Sequence, residues 1–426
     1  GALCAHMALA VAQGVLDGSH QGLLRLAHVD LRVGGDGLPL GEALQQALTS
    51  RDPGDLQSLE SAVEGALQEP AARLSTARQR AAAAAGRWLT GLGVPRHADA
   101  GPEGGCAEAA AARLAASDEL FLVASEHAHR RAGAGGAGWI GPLRALSGAD
   151  QSAIIRPRER FRRGAEFWKG LELSEPLGRT VVVGDPHGLP WPTVHVLQGG
   201  EGRVGQDVRT RLSAGLLEWG LASELAALAG VGRAAALAFA SPALPVETRV
   251  PAVASVARTL GLLASLSHTD PVYLRRERGI SRAQAEELAR RASAWVLAQA
   301  RLAWAVLQTA GDGPEALVDS ATRGARRALG CELSQSVSML AHGSVSPGGA
   351  ARAWLVALEL YATLREQHDE DWYRNPRCAR VLRGASAQGG EIAVEMWAAE
   401  LGVCPVWEPE VAGRPGAGLE RLQALF

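Results

Sequence analysis

The chain has 426 residues, 47% of them hydrophobic, and a formal net charge of −2. That is enough apolar material for a large core or two to three lobes, and the near-neutral charge argues against a general nucleic-acid binder. Lys169 is the only lysine, so almost all positive charge is arginine, as a GC-rich coding sequence would give.

The opening residues through Leu16 are mildly apolar but lack a basic leader and are broken by Gln13, which does not fit a signal peptide. The residues ahead of Met7 are open to reading as non-native. Leu23, Leu24 and Leu26, then Leu44 and Leu48, recur at helical spacing, and Asp52-Pro53 reads as N-cap and first turn of a helix through about Leu67. Ala71 to Leu92 continues the pattern, and a Gly/Pro-rich loop follows from Gly93 to Gly105. Residues Cys106 to Arg131 are again helical, and Ala132 to Gly138 read as a flexible connector. His127 and His129 lie two apart, on different faces of a helix, and so read as solvated residues rather than a metal pair. The arginines from Arg156 to Arg163, offset by Glu159 and Glu166, read first as a solvated helix face.

Thr180 to Val183 and Thr193 to Leu197 are the one convincing β element, a small hairpin or sheet edge around the turn material Gly184 to Gly188. Asp185, His187 and His195 gather near that turn, but their spacing matches no zinc pattern, so turn chemistry is the favoured reading and a metal role the weaker one. Beyond it the chain is apolar from Leu216 to about Ala240, with Val231 to Ala240 expected as a separate short helix, and Val253 to Leu266 forms another. Ser281 and Gln284 make a capping box for a long helix ending near Leu307, and Asp312-Gly313-Pro314 starts the next. His268 and His342 sit among apolar neighbours and read as hydrogen-bonded structural residues.

No apolar run reaches the ~20 residues needed to span a bilayer, so no membrane partner is expected. The five cysteines, Cys4, Cys106, Cys331, Cys378 and Cys404, are odd in number and widely spaced, which suits reduced thiols in a cytoplasmic protein and gives no cysteine zinc site.

Leu216-Leu217 followed by Glu218, Trp219 and Ala222, then Asp270-Pro271-Val272-Tyr273-Leu274-Arg275-Arg276, Arg352-Ala353-Trp354-Leu355, Asp369 to Pro376 and Ala399-Glu400-Leu401-Gly402, form an ordered series. In order and spacing it resembles the helical zinc metallopeptidases of the oligoendopeptidase F, thimet oligopeptidase and carboxypeptidase Taq group. In that group an apolar pair precedes H-E-A-G-H, whose two histidines share a helix face on zinc while the glutamate serves the metal-bound water. A second helix supplies a glutamate as third ligand.

The resemblance implies that Glu218 stands in place of the first histidine, Trp219 of the general base, Ala222 of the second histidine and Arg258 of the third ligand. Ala350 stands where the group has a tyrosine able to donate to the oxyanion. A slip in that register would not restore the site, since no histidine occurs between His195 and His268.

The expected fold is therefore mainly α, two-lobed and metallopeptidase-like, with a small β element beside a central cleft. An N-terminal helical region covers 1–178 and a degenerate catalytic-like region covers 179–426. The expected role is peptide or protein binding by a pseudopeptidase without cofactor, with Thr193, Val194, His195 and Val196 as the cleft edge and Glu218, Trp219 and Arg258 in the cleft. Two alternatives remain open: altered chemistry with Glu218 as acid or base and Arg258 as anion clamp, and a structural subunit in a homo-oligomer or beside an active paralogue.

Overall fold

The computed structural model describes residues 52–91, 104–133, 138–148, 159–172, 220–241, 255–309, 317–334, 347–389 and 393–426, five short strands, and isolated positions between them. The described residues are mainly α-helical. A long helix, α1 (Pro53–Gly91), is followed by α2 (Gly104–Ala116), α3 (Asp118–Ala132), α4 (Ile140–Ser147) and α5 (Arg160–Gly170). The start of α1 is as its residues require: Asp52 Oδ1 accepts from the Gly54 amide at 2.8 Å, and Pro53 gives up an amide that has no helical partner.

Next come α6 (Gly220–Ala238), α7 (Ser255–Leu266), α8 (Pro271–Arg278) and α9 (Arg282–Thr309). The Ser281–Gln284 capping box forms, with reciprocal bonds of 3.1 and 3.3 Å. The remaining helices are α10 (Leu317–Leu329), α11 (Pro347–His368), α12 (Pro376–Ala387), α13 (Val394–Glu400), α14 (Pro409–Ala412) and α15 (Ala417–Gln423).

Helix α9 runs through the middle, packing on α2, α3, α4, α8, α10 and α11. Alanines at 285, 289, 292, 298 and 300 let its neighbours approach closely, and all are at most 1% exposed. Its two buried arginines act as ties rather than surface charges. Arg291 donates to Ala128 O at 2.8 Å, and Arg301 spans Leu114 O, Ser117 Oγ, Asp118 and Ala328 O at 2.7 to 2.9 Å.

The strands differ from expectation in three ways. β1 (Asp30–Val33) and β2 (Asp36–Pro39) form an antiparallel hairpin that the helical reading of the N-terminal half passed over. β3 (Thr180–Val183) and β4 (Thr193–Leu197) do not pair with each other: a third strand, β5 (Arg209–Ser213), lies between them, parallel to β3 and antiparallel to β4. The stretch from Arg211, which the resemblance groups with the zinc-binding helix, thus begins as strand. The second apolar helix expected over 231–240 is instead the continuation of α6.

Helix α6 is long and apolar enough to cross a membrane by length and composition, but 83% of that stretch is buried within the protein. It is apolar all round because the core surrounds it. Arg160 also departs from the solvated face expected for the arginine-rich segment, being 6% exposed, whereas Arg162 and Arg163 pair with Glu159 and Glu166 as a charged surface would.

Candidate functional site

Helices α6 and α7 lie antiparallel and in close contact, since Ser265 Oγ donates to Leu225 O at 2.7 Å while Gly261 meets α6 at Ala229, Gly232 and Arg233. Both α6 and the three-stranded sheet belong to this region, as the sheet packs on α6. Toward the N-terminal end of α6 the register brings Glu224 against the 3-10 turn Ser267–Thr269 and the end of α8.

Glu224 is 0% exposed and its Oε1 accepts a charge-assisted bond from Arg278 Nη2. His268 Nε2 lies 3.1 Å from the same oxygen and 2.9 Å from Arg278 Nη2. The Nδ1–H tautomer satisfies two of the three contacts, with Glu224 Oε1 held by Arg278 rather than by the imidazole. Ser267 Oγ donates to Ala264 O at 2.6 Å, so it accepts from His268 Nδ1–H at 3.2 Å, which leaves the Nε2 lone pair to accept from Arg278.

The imidazole is therefore neutral: burial and the nearby Arg163 hold its pKa down to about 3. Burial also lowers Arg278, to about 9, and raises the Tyr273 phenol, whose hydroxyl reaches Ser267. The guanidinium stays charged at neutral pH and ties α6 to α8 through Glu224.

A neutral buried histidine makes a pH prediction with a definite sign. The unfolded chain binds a proton at His268 near pH 6.5 and the fold does not until about pH 3, so stability present above the unfolded pKa is lost as pH falls through that window. This group alone gives a slope of about 1.4 kcal/mol per pH unit. The groups facing it are Glu224, Arg278, Arg163 and Tyr273. Urea unfolding at about pH 7 and about pH 5 is expected to show a smaller loss in His268→Gln than in the wild type. Equal losses would place the acid sensitivity elsewhere.

Two of the ordered sequence signatures come together just beyond this network. Asp270 and Asn375 each cap a helix that starts with proline, accepting from Val272 N and Arg377 N at 2.8 and 2.9 Å. Tyr273 and Tyr373 meet edge-on at 4.9 Å, Trp372 is 0% exposed, and Arg276 pairs with Asp371 at 3.2 Å. Arg352 likewise reaches Glu395 at 3.2 Å. These signatures are structural: they build an aromatic cluster with Phe167, Trp168 and Tyr361.

Of the residues singled out from sequence, Ala222 is buried on α6, at 3% exposure, and Arg258 is half-buried on α7. Ala350 is half-buried in the first turn of α11, and Thr193, Val194, His195 and Val196 lie in β4. Glu218, Trp219, Asp185, His187 and His342 lie outside the described residues. The antiparallel register sets Arg258 against the C-terminal half of α6, about 16 Å along the helix from Ala222. What faces the N-terminal half is Ser265 and His268. Glu224 and Arg278 were missed because an isolated glutamate on an apolar helix carries no motif; its very isolation was the available signal.

These residues do not fit a zinc ion. Among the described residues no group of three or more His, Cys, Asp or Glu could hold a metal, and Arg278 puts a fixed positive charge between Glu224 and His268.

The chain matches no family model and no curated protein. Against solved structures it matches a protein assigned as oligoendopeptidase F with TM-score 0.60 and 11% identity, over 93% of this chain and 72% of the other. The chain has the oligoendopeptidase F fold. A carboxypeptidase of the M32 group from Deinococcus radiodurans R1 also aligns, with TM-score 0.45 and 14% identity, over 90% of this chain and 77% of that one. The oligoendopeptidase F fold thus comes with Ala222 on the helix where the sequence resemblance expects the second zinc histidine.

Proposed function

We propose that this chain is a pseudopeptidase: an oligoendopeptidase F fold without zinc hydrolysis, which binds a peptide or protein segment. The observation that carries the reading is the absence of any histidine from 196 to 267, the stretch in which the resemblance expects the zinc-binding pair, with Ala222 standing in the second of those places. A catalytic zinc needs three protein ligands and an open water position, and one carboxylate cannot supply them.

Binding needs less than catalysis. Among the described strands β4 is an edge of the sheet, with order β3-β5-β4, and an extended peptide can add to such an edge by backbone hydrogen bonds alone. The test is metal content of the purified protein by elemental analysis, beside cleavage of a quenched-peptide library and retention on a peptide array. Substoichiometric zinc, no cleavage before or after zinc addition, and saturable retention of extended peptides are expected. One zinc per chain with chelator-sensitive cleavage would overturn the reading.

A further inference from the structure

A second site lies on the far side of the turn that carries His268. A cavity of about 340 Å³ is lined by Asp270, Arg275, Arg282, Glu286, Arg365 and Arg421, with Pro271, Val272, Ala424 and Leu425 as its apolar wall. Four arginines and two carboxylates share this lining, and each carboxylate has an arginine neighbour, though Asp270 Oδ2 is buried without a hydrogen-bond partner. Asp270, 0% exposed, lies 3.3 Å from Arg365 Nε and 3.5 Å from Arg421 Nη2, while Glu286 accepts from Arg282 at 2.7 Å. Glu370 takes one further donor of Arg365 at 3.1 Å from outside the lining. Arg275 forms no ion pair among the described residues, and its charge adds to that of Arg282, which holds the Glu286 carboxyl below the usual carboxylate range.

Arg365 and Arg421 are held in place before any ligand arrives, while Arg275 and Arg282 lie on the exposed rim. Arg421 lies 4.4 Å over the Tyr361 ring and donates to Thr269 Oγ1 and O at 2.9 and 3.3 Å. Its Nε is buried with no hydrogen-bond partner. Fixed, planar forks of donors with excess positive charge suit a tetrahedral or planar oxyanion, and the fixing removes part of the ordering cost of binding. The volume is at the small end of ligand pockets, and the Pro271, Val272 and Leu425 wall leaves room for a short apolar body.

We propose that this cavity binds a small organic oxyanion, a phosphate or carboxylate group on a compact body, independently of any peptide at the sheet edge. Titration calorimetry with inorganic phosphate and, separately, with succinate tests it and tells the two sources apart. At least one probe is expected to bind with one site per chain, and Arg275→Glu to weaken it tenfold or more. Arg130→Glu, exposed on α3 and altering net charge equally, is expected to leave affinity unchanged, with both variants melting as the wild type does. Absence of binding by either probe, or equal weakening by the two substitutions, would overturn the site.

Discussion

Arg278→Met is expected to destabilise the protein by about 3–5 kcal/mol, because it strands the Glu224 carboxylate in a site closed to solvent. Glu224→Met, which strands the guanidinium instead, is expected to cost a similar amount. Replacing both at once is expected to recover most of the loss. The pairing is incomplete: Glu224 Oε2 and Arg278 Nη1 are buried without hydrogen-bond partners, so the desolvation cost is only partly offset by the bond between Oε1 and Nη2. Two methionines of similar length need no partners at all. Urea unfolding of the two single variants and the double variant closes the cycle. Additive losses, or single losses below about 1 kcal/mol, would show that the pair does not act as a unit.

The same cycle tests how α6 is tied to α8 and to the turn after α7. In a zinc metallopeptidase, a cation bound by side chains of neighbouring elements ties those elements together. Here the side chain of Arg278 is the cation, and Glu224 on α6 and His268 at the end of α7 are the groups around it. The tie is covalently part of the chain, so chelators cannot remove it.

How much of this was readable beforehand depends on the range of the interactions involved. The caps at Asp52 and Ser281, and the prolines that follow Asp270 and Asn375, act over two or three residues and are visible in sequence. The buried, hydrogen-bonded state of His268 followed from its apolar neighbours, but Glu224, which lies beside it and shares its guanidinium neighbour, is 44 residues away. Strand β5 was hidden because Arg209–Ser213 joins directly an apolar stretch whose helical character dominated the reading. The β1–β2 hairpin did carry a local signal: two glycines separate the paired strands, and a Gly-Gly link between short runs is a turn signature. The separation of Arg258 from Ala222 was beyond reach, since interhelix register depends on which small residues meet. That meeting is set by Gly232 and Gly261, neither of which belongs to a motif.

Those two glycines carry the last and sharpest expectation. A Cβ on Gly261 would run into the carbonyl oxygen of Ala229 and lie 3.1 Å from the Arg233 amide nitrogen, and one on Gly232 would lie 2.8 Å from Gly261 Cα and from Trp168 Cζ2. Backbone atoms of a helix cannot rotate aside as a side-chain tip can, so the two helices must separate. Separation would lengthen the Ser265 bond to Leu225 and move His268 away from Glu224, so the damage spreads from the crossing into the buried network. Gly261→Val is expected to cost about 3 kcal/mol or more, above the usual penalty for an added core methyl. Gly384→Ala offers the opposite sign within one protein, because nothing lies within 4 Å of its added Cβ on the exposed face of α12. There the gain is about 0.5–1 kcal/mol, from helix propensity alone. Thermal melts of the two variants should move in opposite directions from the wild type. If Gly261→Val melted with the wild type, the close crossing of α6 and α7 would be refuted, and with it the register that keeps Arg258 and Ala222 apart.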